Sequence, residues 1–216
     1  MSAAYLIHLA NYSDGVIYVL AGLLLLTVAV MIDRFWSLRR VILGGGGIVR
    51  NAAGLRELGY GELQRLRSEA ANLPESAILD AAIEHAADKR GEALGSRLDE
   101  AILLIAPSLD KRLWLLDTAV TLAPLLGLFG TIIGMFHAFS VLALPGHAAV
   151  DVTAGVADAL IATACGIFIA VIGLAAYNML SNQVRLVLHQ LDCLRTLIVN
   201  RSTPTLSDVL PERRVG

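Results

Sequence analysis

Two long stretches of this 216-residue chain contain no charged side chain. Neither Lys, Arg, Asp nor Glu occurs from Thr118 to Val150, or from Ala159 to Val184. The chain also has only two cysteines, which excludes a disulfide framework and a four-cysteine metal site. Its net charge of -2 provides no bulk electrostatic attraction to nucleic acid. These absences favour a membrane protein over a secreted disulfide-bonded domain or a nucleic-acid-binding protein.

Apolar residues, in contrast, are abundant. They make up 56% of the chain, and the mean hydropathy is +0.67, well above the values of ordinary globular domains. A helix that crosses a bilayer needs about 20 of them in succession. Besides the two charge-free stretches, a third apolar segment runs from Val16 to Ile32. A cleaved signal peptide is the competing interpretation of this segment. Because no Lys or Arg precedes it and no small-residue cleavage site follows, we expect a membrane anchor.

The positive charges predict a topology. All 17 Lys and Arg residues lie in two segments, 34–112 and 185–214, which three spans place on the same side of the membrane. The positive-inside rule makes that side cytoplasmic. We therefore predict an all-α membrane protein with three transmembrane helices and long cytoplasmic helical extensions. Its predicted parts are an external N-terminus (1–15), span one (16–35), a cytoplasmic helical region (36–112), span two (113–143), an external turn (144–152), span three (153–178) and a cytoplasmic C-terminal helix and tail (179–216).

Glycine and proline predict the breaks between these elements. Gly44–Gly47 is a run of four glycines, which weakens any helix, so we expect a flexible linker there. A phosphate-binding loop would need a Gly-Lys-Ser/Thr ending and a preceding strand, and both are missing. Pro74 is expected to open a helix that runs to Arg90, and Pro107 is expected in the first turn of the second spanning helix.

The last helix is expected to continue without a break from Gly173 to Pro204. Beyond the membrane its apolar residues alternate at spacings of three and four, as in a heptad repeat. One interpretation is a face that packs on the same subunit, and the other is self-association in a ring. The sequence does not decide between them. The positions concerned are Val184, Val187, Leu191, Leu194 and Ile198.

Small residues follow one face of each of the last two spans. Such residues let membrane helices approach closely, and threonine hydroxyls form hydrogen bonds between them. Plain packing is therefore one interpretation of these faces, and a narrow polar path is the other. We assign helix packing to Gly127, Gly130, Gly134, Pro124, Gly155 and Gly166.

Four polar residues of these two spans are candidate functional residues: Thr131, Thr163, Asp158 and His137. If residue 147 is the tip of a symmetric hairpin, Thr131 and Thr163 lie at the same depth, and Asp158 lies level with His137. A charged aspartate in a span costs about 2.5–3.5 kcal/mol on insertion scales, so Asp158 should be paired, protonated or hydrated. It either exchanges protons or acts as a polar tether near the start of the helix. No catalytic or metal-binding motif is present, and we predict neither an enzyme nor a bound cofactor.

Two motifs in this order resemble the MotA/TolQ/ExbB proton-channel family. The first is LAPLLGLFGTIIGM at residues 122–135, preceded by Leu-Asp-Thr at 116–118, and the second is GVADALIATACG at 155–166, followed by Ala-Ala-Tyr-Asn at 175–178. Thr131 and Thr163 match the threonines that line the ring in the family. Asp158 matches its acidic position, where ExbB and TolQ members usually carry glutamate.

The resemblance implies a pentameric ring of subunits in the bacterial inner membrane, so that the external side is the periplasm. It also implies an ExbD- or TolR-like single-span partner inside the ring, whose aspartate carries the proton, and a TonB- or TolA-like transducer. The predicted function is then a proton-channel subunit of an inner-membrane motor that supports energised uptake across the outer membrane. A TolQ-like motor for envelope maintenance and a passive membrane scaffold are the alternatives, and a secondary transporter is disfavoured because three spans leave no inverted repeat.

Overall fold

The computed structural model describes residues 15–85, 91–142 and 149–202, and all regular structure in these ranges is helical. The predicted external N-terminus, the turn around residue 147 and the C-terminal tail lie largely outside the described residues. The helices, numbered here in chain order, are α1 (Val16–Gly54), α2 (Tyr60–Glu69), α3 (Glu75–Glu84), α4 (Gly91–Leu109), α5 (Leu113–Leu142) and α6 (Ala149–Arg201).

Three of these helices, α1, α5 and α6, are long and apolar enough to cross a membrane. This confirms the prediction of an all-α chain with three spanning helices. The predicted continuity of the last helix is also confirmed, because α6 runs for 53 residues without a break. The chain divides into two compact units. The span unit comprises the described residues of 15–34 and 112–180, and the helical module comprises those of 35–111 and 181–202.

The span unit has a small apolar core contributed by α1, α5 and α6. Val16, Leu20, Ala123 and Ile169 are buried at its centre, and Cys165 packs against them. Helix α5 continues through Pro124. Proline removes one backbone hydrogen bond from a helix interior, and neighbouring helices make that tolerable inside a membrane. The core thus depends on contacts among the three spanning helices of one subunit.

In the helical module, the prediction of a flexible linker at the four glycines is wrong. The segment 44–47 lies inside the continuous helix α1. The glycines admit neighbours that a side chain would exclude: a β-carbon at Gly44 would lie 2.8 Å from Cδ1 of Leu73, and one at Gly46 would lie 3.2 Å from Nε2 of Gln190. Tertiary packing therefore overrides the low helix propensity of glycine here.

Helix α1 ends where the last turn of α6 reaches it. Nη1 of Arg201 donates hydrogen bonds to the carbonyl oxygens of Ala52 (3.2 Å), Ala53 (2.8 Å) and Leu55 (2.5 Å). The backbone N–H of Leu58 in turn donates to the carbonyl of Arg201 at 2.9 Å. A helix C-terminus leaves carbonyl groups without partners and carries a partial negative charge. The guanidinium of Arg201 provides hydrogen-bond donors for these carbonyls and a positive charge next to the helix end.

The heptad-like positions of α6 are buried within this single subunit. Each of the five, Val184, Val187, Leu191, Leu194 and Ile198, is at most 3% exposed. Packing on the same subunit, one of the two interpretations left open by the sequence, is therefore correct. These side chains have no surface left for association with another copy.

The expected position of Pro107 is also wrong. Pro107 lies near the end of α4, and the spanning helix α5 begins only at Leu113, after a turn in which Arg112 adopts a left-handed φ of 68°. The missing N–H of Pro107 would have bonded the carbonyl of Leu103. Since Leu103 is exposed, solvent can satisfy that carbonyl. Pro74 does precede the start of α3 at Glu75 as predicted, whereas the predicted end at Arg90 lies outside the described residues.

Candidate functional site

The backbones of α5 and α6 meet where two glycines oppose each other. A β-carbon at Gly127 would lie 2.8 Å from the carbonyl oxygen of Ala162 and 2.9 Å from Cα of Thr163. A β-carbon at Gly166 would lie 3.1 Å from Cα of Gly127 and would overlap the carbonyl oxygen of Ala123. Real β-carbons do not approach backbone atoms so closely, so the two helices can pack at this separation only with glycine at both positions.

Two further glycines continue this contact along α5. A β-carbon at Gly130 would lie 2.8 Å from Cβ of Ala162, and one at Gly134 would lie 2.7 Å from Cβ of Ala159. On α6, Gly155 is also buried. The opposed pairs define an antiparallel register for the two helices. It lies within about one helical turn of the register obtained by counting from residue 147.

A hydrogen bond joins the helices inside this contact. The hydroxyl of Thr163 donates to the backbone carbonyl of Gly127, with an oxygen–oxygen distance of 3.0 Å. The hydroxyl of Thr131, whose side chain lies one turn further along α5, donates to the carbonyl of Leu128 at 2.6 Å. Thr131 is only 8% exposed. Thr163 therefore joins the two helices, whereas Thr131 is buried with its hydroxyl bonded to a carbonyl of its own helix.

This arrangement fixes what the hydroxyls can offer a neighbour. A hydroxyl has one proton to donate and two lone pairs that accept. Since both protons are committed to backbone carbonyls, only lone pairs remain. The pair of threonines is therefore suited to accept a hydrogen bond from a protonated acid. It is less suited to stabilise a carboxylate, which needs donors.

Asp158 and His137 lie on the same two helices, nearer the connecting turn. Both side chains are half-buried, and each takes part in an interaction within the chain. The ring of His137 also lies 6.0 Å from that of Phe136, centroid to centroid. Asp158 directly precedes Ala159, which packs against Gly134. Its carboxyl group is thus attached to the tight part of the α5–α6 contact.

One ionic contact of the span unit was not predicted from the sequence. Nη1 of Arg112 lies 2.6 Å from Oδ2 of Asp33, and both side chains are about half exposed. The charges were recognised only as marks of the ends of two spans. The available signal was that the two residues lie at ends of neighbouring predicted spans, which the predicted topology places on the same side of the membrane.

The long apolar helices and the glycine-lined contact define a multi-pass helical membrane protein. Comparison with known sequences identifies its family. Residues 70–193 match the MotA/TolQ/ExbB proton channel family, and the chain belongs to it. This confirms the family resemblance inferred from the two motifs. Within this family the chain is a multi-pass protein of the inner membrane.

Individual relatives come from both named branches of the family. The chain is 33% identical to the Tol-Pal system protein TolQ of Haemophilus influenzae over 159 residues, which are 70% of this chain and 64% of that protein. It is 33% identical to a putative biopolymer transport protein, ExbB-like 3, of Synechocystis over 174 residues, or 77% of this chain and 80% of the relative. With the biopolymer transport protein ExbB of Neisseria gonorrhoeae it shares 37% identity over 73 residues, a third of each chain.

Proposed function

We propose that this protein is the ring-forming, proton-channel subunit of an inner-membrane motor that converts the proton gradient into movement of an ExbD- or TolR-like partner. The observation that carries the proposal is the geometry of the two threonines. Their hydroxyl protons are committed to backbone carbonyls of α5. Lone pairs are left to accept a bond from the protonated aspartate of a partner helix.

The surface of the span unit supports assembly into a ring. Within the most apolar windows of the three spanning helices, only 22% (α1), 28% (α5) and 33% (α6) of the residues are buried in the single chain. The remaining apolar surface must face lipid, further copies or a partner helix. We propose a pentamer as in related proteins, with the N-terminus in the periplasm and the C-terminus in the cytoplasm, as the distribution of Lys and Arg favours.

In this proposal Asp158 is the acidic group of the proton path and the two threonines line it. His137 is a possible secondary polar residue. Aspartate reaches one methylene less far than the glutamate usual at this position in the ExbB and TolQ branches. The proton-carrying aspartate of the partner would approach Asp158 and the threonines in turn as it binds and releases its proton.

The test compares matched variants at equal protein abundance in a strain that depends on this protein. Asp158→Asn removes the acidic group, and we expect it to reduce proton-driven activity by about 10²-fold, the usual size of a proton-transfer contribution. Asp192→Asn is its control, because Asp192 is exposed on the same helix in the helical module. Thr163→Val should fail where Thr163→Ser, which keeps the hydroxyl, retains activity.

Thr196→Val provides a second control. The hydroxyl of Thr196 donates to the carbonyl of Asp192 in its own helix at 2.9 Å and lies in the helical module. Full activity of both Asp158→Asn and Thr163→Val would refute the proposed roles. Activity that survives collapse of the proton gradient would favour a passive scaffold instead.

We assign the motor to energised outer-membrane uptake of the TonB-dependent type, with TolQ-like envelope maintenance as the second candidate. The second is favoured by the match to TolQ of Haemophilus influenzae, which covers 70% of this chain. Expression in one strain that lacks its ExbB-type protein and in another that lacks its TolQ-type protein separates them. Restored uptake supports the first assignment, and restored resistance to detergent supports the second.

A further inference from the structure

The helical module contains one acidic side chain that is completely buried. Glu75, the first residue of α3, is 0% exposed. Neither of its carboxyl oxygens has a hydrogen-bond partner. An ionised carboxylate in this position would be taken out of water without compensation, which is among the most unfavourable arrangements in a folded protein.

Two neighbours on different helices enclose this carboxyl group. On α1, Gly45 leaves the space that it fills, since a β-carbon there would overlap Oε1 of Glu75. On α6, Oε1 of Gln190 lies 3.1 Å from the same β-carbon position. The carboxyl group of Glu75 and the amide oxygen of Gln190 therefore both border the β-carbon position of Gly45.

The orientation of the Gln190 amide is fixed by its other end. Its Nε2 donates a hydrogen bond to the backbone carbonyl of Ile42 at 3.1 Å. If the amide were reversed, its oxygen would face this carbonyl oxygen, and two acceptors would be in contact. Its Oε1 has no partner. Oε1 of Glu75 and Oε1 of Gln190 are thus two buried acceptors that border the same small space, and neither has a donor. A single proton on the carboxyl group supplies the donor that both oxygens lack.

In the described part of the helical module, burial and its own backbone are the influences on the pKa of Glu75, and no neighbouring charge contributes. On α3 itself, Asp80 pairs with Arg67 of α2 at 2.5 Å. Glu69 of α2 accepts a hydrogen bond from Asn51 of α1 and lies 3.4 Å from Arg65.

The titratable groups of α6 near this site also have other surroundings. His189 contacts Cys193, Asp192 is exposed, and Arg195 pairs with Asp99 of α4. Glu84 at the other end of α3 is exposed, and His85, next to it, bonds the carbonyl of Ala81.

Burial raises the pKa of Glu75 above its ordinary value of 4.5, and its own backbone N–H offsets only part of this effect without forming a hydrogen bond. The start of a helix favours negative charge, so a glutamate here looks from the sequence like an ordinary dipole contact. The burial of both oxygens overrides that expectation.

We propose that Glu75 is held as the neutral acid, donates its carboxyl proton to Oε1 of Gln190, and thereby acts as a pH-sensitive latch that fastens α3 to α1 and α6. Loss of the proton leaves a buried carboxylate against a buried amide oxygen. The helical module then loosens at α3. This latch is independent of the proton path proposed for the span unit.

The sign of the pH dependence follows from the direction of the pKa shift. The folded state binds the proton more tightly than the unfolded state, whose pKa is near 4.5. The contribution of Glu75 to stability is therefore largest at or below about pH 4.5, falls as the pH rises, and is lost above the pKa of the folded state. Between the pKa values of the unfolded and the folded state, the folded protein holds one more proton than the unfolded chain. For a chain of this size, that difference lowers the Tm by about 3–5 °C per pH unit.

The test follows thermal unfolding of the full-length protein in detergent as a function of pH. Glu75→Gln has nearly the shape of the neutral acid, keeps a donor for Gln190, and cannot ionise. The Tm of Glu75→Gln should therefore depend less on pH than the Tm of the wild type. As the pH rises, we expect the wild-type Tm to fall further than that of the variant. Glu84→Gln, on the exposed side of the same helix, should keep the wild-type profile.

Infrared difference spectroscopy gives a direct readout of the proton. In the wild-type protein a protonated-carboxyl C=O band should persist to higher pH than the bands of exposed carboxyl groups. Glu75→Gln should lack this band, and Glu84→Gln should retain it. If Glu75→Gln does not fold, Glu75→Met, which is apolar and of similar length, should remove the same band and flatten the profile. Absence of the band in the wild type, or pH profiles that run parallel in the wild type and the Glu75 variant, would overturn the proposal.

Discussion

Replacement of Gly166 by alanine tests the α5–α6 contact directly. The added methyl group would overlap the carbonyl oxygen of Ala123 and lie 3.1 Å from Cα of Gly127. Both obstacles are backbone atoms, which cannot rotate away, so the helices must separate. We expect this separation to break the hydrogen bond from Thr163 to Gly127 as well.

The magnitude follows from three terms. Forcing an extra methyl group into a packed site costs about 1–3 kcal/mol, and an interhelical hydrogen bond in a membrane contributes about 0.6 kcal/mol. Alanine returns up to about 1 kcal/mol through its higher helix propensity. The net expectation is a loss of about 1–2.5 kcal/mol in the free energy of unfolding.

Gly22→Ala is the matched control, because Gly22 lies on spanning helix α1 and a β-carbon there would meet no atom within 4 Å. It should gain about 0.5–1 kcal/mol. The assay is reversible unfolding of purified protein in mixed micelles with rising SDS, followed by circular dichroism. If the two alanine variants proved equally stable, the close backbone contact between α5 and α6 would be refuted.

Three further predictions concern stability and use the same assay. Gly45→Ala should destabilise the protein because the added methyl group overlaps the buried side chain of Glu75. Gly47→Ala should stabilise it by about 0.5–1 kcal/mol, because a β-carbon at Gly47 meets no neighbour. Equal effects of the two variants would contradict the packing of the glycine run. Leu191→Ala should cost about 2–5 kcal/mol because the side chain is fully buried, and exposed Leu186→Ala far less; a small loss at both positions would show that the α6 seam is not a core. Asp33→Asn should change stability by no more than about 1 kcal/mol, since its ion pair is half exposed; a larger loss would mean that the pair is shielded from water.

The spanning helices could be predicted from the sequence because lipid imposes a simple requirement. A helix segment in contact with hydrocarbon must be long and almost free of charge. Helix α5 overlaps the charge-free stretch around Thr131, and α6 contains the one around Thr163. The crowding of small residues also predicted where the two helices approach closely. In both cases a local pattern determines the structure.

The four-glycine segment and Pro107 could not be placed correctly because their structure depends on distant residues. Local propensity favours a break at Gly44–Gly47, but Leu73 and Gln190 pack against this segment from positions far along the chain. Pro107 was placed in the wrong helix because nothing in its neighbours indicates that Arg112 adopts a left-handed turn.

The contact of Thr163 with the Gly127 carbonyl was likewise not predictable from spacing alone. The sequence indicated that threonines lie in a small-residue stripe, and left open whether their hydroxyls face a path or the neighbouring helix. The structure shows that their protons are bound to backbone carbonyls. Spacing along the chain cannot give the direction of a hydroxyl group, because it depends on one side-chain rotation.

The glycine run inside α1 has a consequence for biogenesis. The free energy of forming this turn of α1 is about 3–4 kcal/mol less favourable with four glycines than it would be with four alanines. The residues that hold it in shape, Leu73, Glu75 and Gln190, are all synthesised later than the glycines. The first membrane segment can therefore insert early, while its extension is not fully stabilised until Gln190 has been synthesised. Premature termination before residue 190 would yield a chain that is anchored in the bilayer but lacks a finished helical module, and quality-control proteases can recognise such an end.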